Sequence, residues 1–270
     1  MATDKRNRLH TALRWQWRHN RGPFVTWLVL RFFVLAVLVR SAMQGYYDNV
    51  FTCLLVLGLF MLPSLIQRRL GIGFPSALQI VILCHIFASE ILGELACCYV
   101  NVPYWDTLMH TVWGFLCAAV GYALADILNR SGERFRLSPA YLAVVAFCFS
   151  MTIGVLWEFF EFAADRLLML DMQKDTVVRQ FASVLLDPTA QNRPVPVRDI
   201  ADVAVDGVSL GLGGYLDIGL YDTMEDLFVN FVGAVSFSLI GWFDTRRHDG
   251  CGLSVRFIPT LAPNADSAAD

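Results

Sequence analysis

The most regular feature of the chain is a series of six long apolar blocks separated by polar segments. Each block is long enough to cross the hydrocarbon core of a bilayer as a helix. The strict alternation that a membrane β-barrel needs is missing from all of them. The pattern therefore predicts an all-α fold, a polytopic membrane bundle with six spans. We place these spans at residues 24–39, 50–66, 75–97, 106–128, 139–162 and 222–243.

The positions of Lys and Arg predict how the spans are oriented. If the N-terminus is cytoplasmic, the two short outer loops hold only Arg40. The inner segments then hold Lys5, Arg6, Arg8, Arg14, Arg18, Arg21, Arg68, Arg69, Arg130, Arg134, Arg136, Arg246, Arg247 and Arg256. Such an asymmetry sets topology, so both termini are predicted to be cytoplasmic. Residues 1–22 would then form a basic interfacial segment and residues 23–243 the membrane domain. Residues 244–270 would form a cytoplasmic tail, expected to be mobile because it ends in small and polar residues.

One outer loop is long, at about residues 163–221, and admits two interpretations. Apolar residues between positions 177 and 185 have helical spacing and predict a helix that rests on the membrane surface. Prolines and a glycine-rich stretch at 207–214 follow, and these glycines would let a cap over the outer mouth of the bundle move. An ordinary surface loop is the alternative.

Composition supports a membrane protein and excludes several classes. Hydrophobic residues make up 56% of the chain and charged residues 17%, whereas soluble domains carry about 25% charged residues. The mean hydropathy is +0.51. A soluble enzyme and a secreted disulfide scaffold are therefore excluded. The net charge of −3 leaves no basic excess that could replace counterions around phosphates, so no nucleic-acid partner is expected.

Ionisable residues inside the spans are costly and are concentrated toward the predicted outer ends of four of them. They lie three or four residues apart within each span and so share a helix face. We therefore expect these side chains to converge beneath the outer surface. They are Glu90 and Glu94 in the third span, Asp106 and His110 in the fourth, Glu158 and Glu161 in the fifth, and Asp222 and Asp226 in the sixth, where Asn230 follows one turn later.

This crowding of carboxylates predicts a divalent metal. Like charges in a low dielectric must be neutralised by protons or by a cation. Oxygen ligands with a single imidazole suit Mg²⁺, Mn²⁺, Zn²⁺ or Ca²⁺. The expected ligands are Asp106, His110, Glu158, Asp222 and Asp226. Of these, His110, Glu158 and Asp226 would also take part in catalysis.

Other polar residues are given supporting roles. Glu161 and Asn230 would orient the ligands or face the substrate, and Glu90 and Glu94 are candidates for the same role. Arg31, midway along the first span, is expected to pair with a buried acid such as Glu90 or to anchor an anionic headgroup. A simpler interpretation applies to Asp106 and Asp222, because an acid at a helix N-terminus complements the helix dipole without any further function.

The order of these motifs resembles a known family. Asp106/His110, then Glu158, then Asp226/Asn230/Gly233 are similar to the pattern of VanZ-like membrane proteins. The fuller forms Trp-Asp-Thr-x2-His, Trp-Glu-x2-Glu and Tyr-Asp-Thr-x2-Asp resemble the YjdF-like branch. The resemblance covers residues 90–241 and implies a helical bundle in the bacterial inner membrane. For VanZ itself it implies a link to tolerance of glycopeptide antibiotics.

Three functions remain open. The first is a metal-dependent enzyme at the outer leaflet that acts on a phosphate-bearing or lipid-linked substrate among the membrane lipids. The second is a transporter or binding protein for divalent cations or protons. Against it, Asp126 stands nearly alone near the inner end of the fourth span, and no inverted repeat is evident. The third is a partner subunit without catalytic activity.

Overall fold

The computed structural model describes residues 21–70, 72–131, 137–247 and 252–261. It contains six helices that are long and apolar enough to cross a membrane, which confirms the predicted all-α architecture. Residues 1–20 of the predicted basic segment lie outside the described part, and the orientation of the termini stays a prediction. The spans, numbered 1 to 6, are Arg21–Gln44, Tyr47–Gln67, Ser76–Leu95, Trp105–Asn129, Pro139–Leu168 and Leu220–Arg247.

Local sequence explains where several spans begin and end. Span 5 starts where Ser138 accepts a hydrogen bond from the N–H of Tyr141, and Pro139 stands in the first helical position, where a missing N–H costs nothing. Span 1 ends before Gly45, whose φ of 78° suits the residue that follows a helix. Span 2 divides into the helices Tyr47–Leu59 and Leu62–Leu70. Pro63 accounts for this break, because its ring excludes the preceding helical hydrogen bond.

Span 3 changes its winding partway along the membrane. It is α-helical over Ser76–Ile86 and π-helical over Phe87–Leu95. Gly93 lies in the π segment and faces the ring of Tyr99, which belongs to the short helix Cys98–Asn101. A β-carbon at Gly93 would come within 2.2 Å of that ring, so only glycine lets Tyr99 pack there. π-Helical turns are rare in proteins overall, and many of those that occur lie at functional sites.

The chain forms two compact units. The first contains Met1–Ile153 and Val229–Asp270, and the second contains Gly154–Phe228. The first unit has two apolar cores. One joins spans 1 to 3 through Val34, Cys53, Val56, Phe60, Leu83 and Ile91. The other joins spans 4 to 6 through Ala118, Ala119, Tyr122, Ala125, Leu142, Ala146, Ala234 and Phe237.

The second unit contains the long loop between spans 5 and 6, whose residues pair as short antiparallel strands. Strand β2 (Thr176–Val178) pairs with β7 (Tyr215–Asp217), and β3 (Phe181–Ser183) pairs with β4 (Val195–Val197). Strands β5 (Ala204–Val205) and β6 (Val208–Ser209) form a hairpin. Its turn residues Asp206 and Gly207 both have positive φ, as a tight two-residue hairpin turn requires.

The predicted surface helix between residues 177 and 185 is therefore wrong. This stretch forms β2, β3 and a single 3₁₀ turn at Val184–Leu186. A short apolar run does not distinguish helix from strand by its spacing. Its β-branched valines favour the extended backbone, and the partner strands lie farther along the chain.

The part of the tail that the structure describes is also ordered. Leu253–Arg256 form a 3₁₀ turn, and β8 (Thr260–Leu261) pairs antiparallel with β1 (Ile72–Gly73), which precedes span 3. Residues 248–251 and 262–270 of the predicted mobile tail lie outside the described residues.

Candidate cation site

Three buried carboxylates lie together in the second unit. Glu158 and Glu161 come from span 5 and Asp226 comes from span 6, and their side chains are only 4%, 7% and 3% exposed. One carboxylate oxygen of each residue lies within 4.8 Å of those of the other two. Glu158 and Glu161 share a helix face because they are three residues apart. We call these three residues the carboxylate trio.

The chemistry of the trio follows from this burial. Three ionised carboxylates at such separations repel one another strongly when water is excluded. Either shared protons or a bound cation must therefore neutralise them. Carboxylate oxygens are the ligands that hard divalent cations such as Mg²⁺, Mn²⁺ and Ca²⁺ prefer, so the residues present fit such an ion.

A network of hydrogen bonds ties spans 5 and 6 together within the second unit. Asp165, one turn after Glu161, accepts bonds from the backbone N–H groups of Met172 and Gln173 at 2.6 and 2.9 Å. The amide of Gln173 donates to the hydroxyl of Thr223 at 2.5 Å. The N–H of Lys174 donates to Oδ2 of Asp222 at 2.8 Å. These bonds fix the connection after span 5 to the first turn of span 6. They thereby hold together the two helices that carry the trio.

This network gives Asp222 a different setting from the one predicted. Its Oδ2 holds the backbone of Lys174, whereas Glu161, expected only to orient ligands, is a member of the trio. Nearby, Oδ2 of Asp217 accepts a bond from the N–H of Tyr221 at 2.8 Å at the start of span 6. The first turn of this helix is therefore held by loop contacts, and the role of Asp222 as a metal ligand stays a prediction.

In the first unit, Asp106 and His110 form the expected pair. Nε2 of His110 lies 3.6 Å from Oδ1 of Asp106, one turn away on span 4. The imidazole of His85, from span 3, stacks on the ring of Trp113 with centroids 5.8 Å apart. Nδ1 of His85 is buried and has no hydrogen-bond partner among the described residues.

His85 was not among the predicted site residues. An ionisable group inside a span is itself a functional signal, and His85 carries that signal. It lies well inside span 3, however, while the prediction relied on polar residues that gather toward span ends.

Asn230 is buried in the first unit where spans 4, 5 and 6 meet. Its side chain is 1% exposed, and its amide donates to the sulfur of Met151 at 3.5 Å. Its Oδ1 lies so close to Gly114 that a β-carbon there would be 2.8 Å away. This setting shows Asn230 as a packing residue between helices, and its expected contact with a substrate stays a prediction.

The remaining predicted residues are placed as follows. Glu90 is half-buried and Glu94 is exposed on the π segment of span 3. Arg31 places its guanidinium 4.6 Å from the ring centroid of Trp27, and Nη1 donates to the sulfur of Met61 at 3.9 Å. Among the contacts of the described residues, Arg31 is held by these two side chains and not by Glu90.

Tyr99 is a further polar group, close to Glu90, Glu94 and Asp106. Its hydroxyl is hydrogen-bonded to that of Ser89 at 3.1 Å. Burial raises the pKa of Tyr99, and the negative charges of Asp106, Glu94 and Glu90 raise it further. The phenol therefore stays protonated and keeps its O–H as a donor.

The five predicted metal ligands are divided between the units. Asp106 and His110 belong to the first unit, and Glu158, Asp222 and Asp226 belong to the second. That all five bind one ion stays a prediction from the sequence. The set that the structure brings together inside one unit is the carboxylate trio.

Comparisons with known proteins agree with a membrane protein. A family model described as predicted membrane protein (DUF2238) matches residues 26–247. An uncharacterised protein of Thermotoga maritima is 24% identical over 106 residues, which cover 39% of this chain and 53% of that protein. The chain thus matches about half the length of this relative. No solved structure matches the chain.

Proposed function

The chain belongs to the predicted membrane protein family DUF2238, and we propose that it binds a divalent cation through Glu158, Glu161 and Asp226. We further propose that the cation serves an enzyme that acts on a phosphate-bearing or lipid-linked substrate at the outer leaflet. The VanZ-like and YjdF-like resemblance, with its implied bacterial inner membrane, is part of this proposal and rests on the sequence motifs.

The burial of the carboxylate trio carries the proposal. An acid without a role inside the protein is expected at its surface, as exposed Glu225 is beside Asp226. The three members of the trio are instead removed from solvent and brought within 4.8 Å of one another. A single divalent cation neutralises two of these negative charges at once, whereas protons would have to bind one by one.

We favour an enzyme because the trio lies on helices that are long and apolar enough to cross a membrane, where lipids surround the protein. A bound cation would supply charge stabilisation for phosphate oxygens. A carboxylate oxygen of Glu158 or Asp226 could accept a proton from an attacking water. A role of His110, 3.6 Å from Asp106, in moving a proton stays a prediction from the sequence.

Metal binding tests the first part of the proposal. The detergent-purified protein is stripped with a chelator and titrated with Mn²⁺, and bound ion is measured by electron paramagnetic resonance. Asp226→Asn should weaken binding at least about tenfold, since even outer partners of metal ligands contribute 10–100-fold. The exposed neighbour supplies the control, because Glu225→Gln should bind as the wild type does. Equal affinities for wild type and Asp226→Asn would contradict the proposal.

Lipid analysis tests the second part. Cells with the wild type, with Glu158→Gln and without the protein are compared for lipid species and for metal content. A phosphate-bearing lipid that changes only when the wild type is present supports an enzyme. A changed metal content with unaltered lipids would instead support the transport function and contradict the enzymatic one.

A further inference from the structure

Residues 252–261 follow the last span and fold back into the first unit. We call them the return segment. It begins beside Asp244 of span 6, forms the 3₁₀ turn Leu253–Arg256 and ends as β8, paired with β1 ahead of span 3. Ser254 is 3% exposed, although it belongs to a segment outside the helices.

The return segment packs the partly buried side chains of Phe257 and Ile258 against the core of spans 4 to 6. The ring of Phe257 meets that of Phe115 edge-on, with centroids 5.2 Å apart, and Phe115 meets Phe237 in the same way at 5.0 Å. Phe115 lies ten residues after Trp105, which is about 15 Å along the helix. The ring of Phe257 therefore lies close to the middle of span 4 and not at its edge.

The backbone of the return segment is hydrogen-bonded within the protein. Oδ2 of Asp244 accepts a bond from the N–H of Ser254 at 2.7 Å. The carbonyl of Ser254 accepts bonds from the N–H groups of Phe257 and Ile258, both at 2.9 Å. Non-helical backbone is tolerated at membrane depth only where protein surrounds and satisfies it. The bonds made by Ser254, Phe257 and Ile258 meet this condition for the part of the return segment that packs on the spans.

The core that receives the segment contains five alanines beside Tyr122, Leu142 and Phe237. Alanines from spans 4, 5 and 6 line it, with Phe257 and Ile258 packed against them. Helices with small side chains leave volume between them unless another group occupies it. Phe257 and Ile258 from the tail are among the large side chains that pack against this core.

We propose that the return segment is a plug that closes the bundle at the end where span 6 terminates. It keeps solutes on that side from reaching the interior of spans 4 to 6. In the predicted orientation this side is the cytoplasm, so the interior of these spans would exchange only with the opposite face. The plug is independent of the proposed cation site, since its contacts involve the first unit alone.

Cysteine labelling tests the plug. Ala118 lines the receiving core and is fully buried, so Ala118→Cys serves as the reporter. A membrane-impermeant maleimide is applied to inside-out and right-side-out vesicles, and mass spectrometry identifies modification at position 118 separately from the native cysteines. With the return segment intact, position 118 should stay unmodified from both sides. Phe257→Ala or deletion of residues 252–270 should raise its modification at least about tenfold from the tail side alone.

Two further measurements separate closure from general loss of structure. Val255→Ala, a matched change at a position that is 51% exposed in the same turn, should leave position 118 protected. A synthetic peptide of residues 252–261, added to the deletion variant, should restore protection.

The proposal is overturned if the deletion variant, still helical and monodisperse, stays unmodified. It is equally overturned if position 118 reacts from both sides or only from the opposite side. If the deletion variant is not monodisperse, Ile258→Ala replaces it with the same expected result.

Discussion

At the residue scale, two glycines determine how closely spans 4 and 6 approach. A β-carbon at Gly114 would lie 2.3 Å from the carbonyl oxygen of Asn230, and one at Gly233 would lie 2.1 Å from that of Thr111. The hydroxyl of Ser150 donates to the carbonyl of Gly114 at 2.8 Å, so span 5 is held at the same point. Small residues allow this backbone contact in membrane bundles, where lipid tails are as apolar as the helix surfaces.

Replacing Gly114 by alanine should therefore force the helices apart. We expect Gly114→Ala to lower the free energy of unfolding by about 1–3 kcal/mol, the typical cost of overpacking. Gly58 is the matched control, because a β-carbon there meets nothing within 4 Å. Gly58→Ala should be neutral or stabilise the protein by up to about 1 kcal/mol. Thermal unfolding followed by tryptophan fluorescence in detergent measures both variants, and equal shifts would show that the glycine contact is unimportant.

The residue scale also shows how far the site could be predicted. The positions of Glu158 and Asp226 toward the same end of spans 5 and 6 predicted that the two side chains would converge. Their spacing from the other polar residues of each helix could be read from the sequence. It could not distinguish the settings of Glu161 and Asp222, which depend on the rotation of each helix. It also gave no sign that the backbone N–H of Lys174 would donate a hydrogen bond to Oδ2 of Asp222, because that contact joins residues far apart in the chain.

At the scale of elements, hydropathy predicted the number of spans but not their full length. Span 5 was predicted at 139–162 and continues to Leu168. Its last turns carry Asp165 and Arg166, which interrupt the apolar pattern while the helix persists. The π segment Phe87–Leu95 is likewise absent from the pattern, because a run of nine residues is compatible with either winding. The outer strands needed partners from distant positions, which a local pattern does not reveal.

The loop between spans 5 and 6 also contains an element organised by one carboxylate. Asp187 accepts hydrogen bonds from the N–H groups of Thr189, Gln191 and Arg193 at 2.9, 3.0 and 3.0 Å, and from the hydroxyl of Thr189 at 2.7 Å. Hydrogen bonds to the ionised form favour it, the largest contribution coming from the Thr189 hydroxyl. They lower the pKa of Asp187 from 3.8 to about 2.

This shift predicts how the loop responds to acid. Because the folded pKa lies below the unfolded one, the carboxylate stabilises the loop fully above pH 3.8 and stops doing so as the pH falls through about 2. We expect Thr189→Val to move the titration midpoint of Asp187 upward toward 3.8. Carbon-13 NMR of aspartate-labelled protein in nanodiscs measures the midpoint. An unchanged midpoint in Thr189→Val would contradict the assignment of the hydroxyl as the main cause.

At the scale of the whole molecule, six spans place both termini on the same side of the membrane. The distribution of cations then decides which side that is. Arg68 and Arg69 follow span 2, and Arg246 and Arg247 end span 6, while Arg40 is the one cation in the two short outer loops. The positive-inside rule therefore predicts cytoplasmic termini and an exoplasmic loop after span 5.

Fusion reporters test this topology and, with it, the leaflet assigned to the carboxylate trio. Green fluorescent protein at the C-terminus should fluoresce, because it folds only in the cytoplasm. Alkaline phosphatase inserted after the exposed Ala190 should be active, because it folds only outside. The reverse result, a dark C-terminal fusion with an inactive insertion at Ala190, would place the loop in the cytoplasm. The outer-leaflet substrate would then be wrong, whereas the cation site would stand, because its three carboxylates are brought together by the fold and not by the direction of insertion.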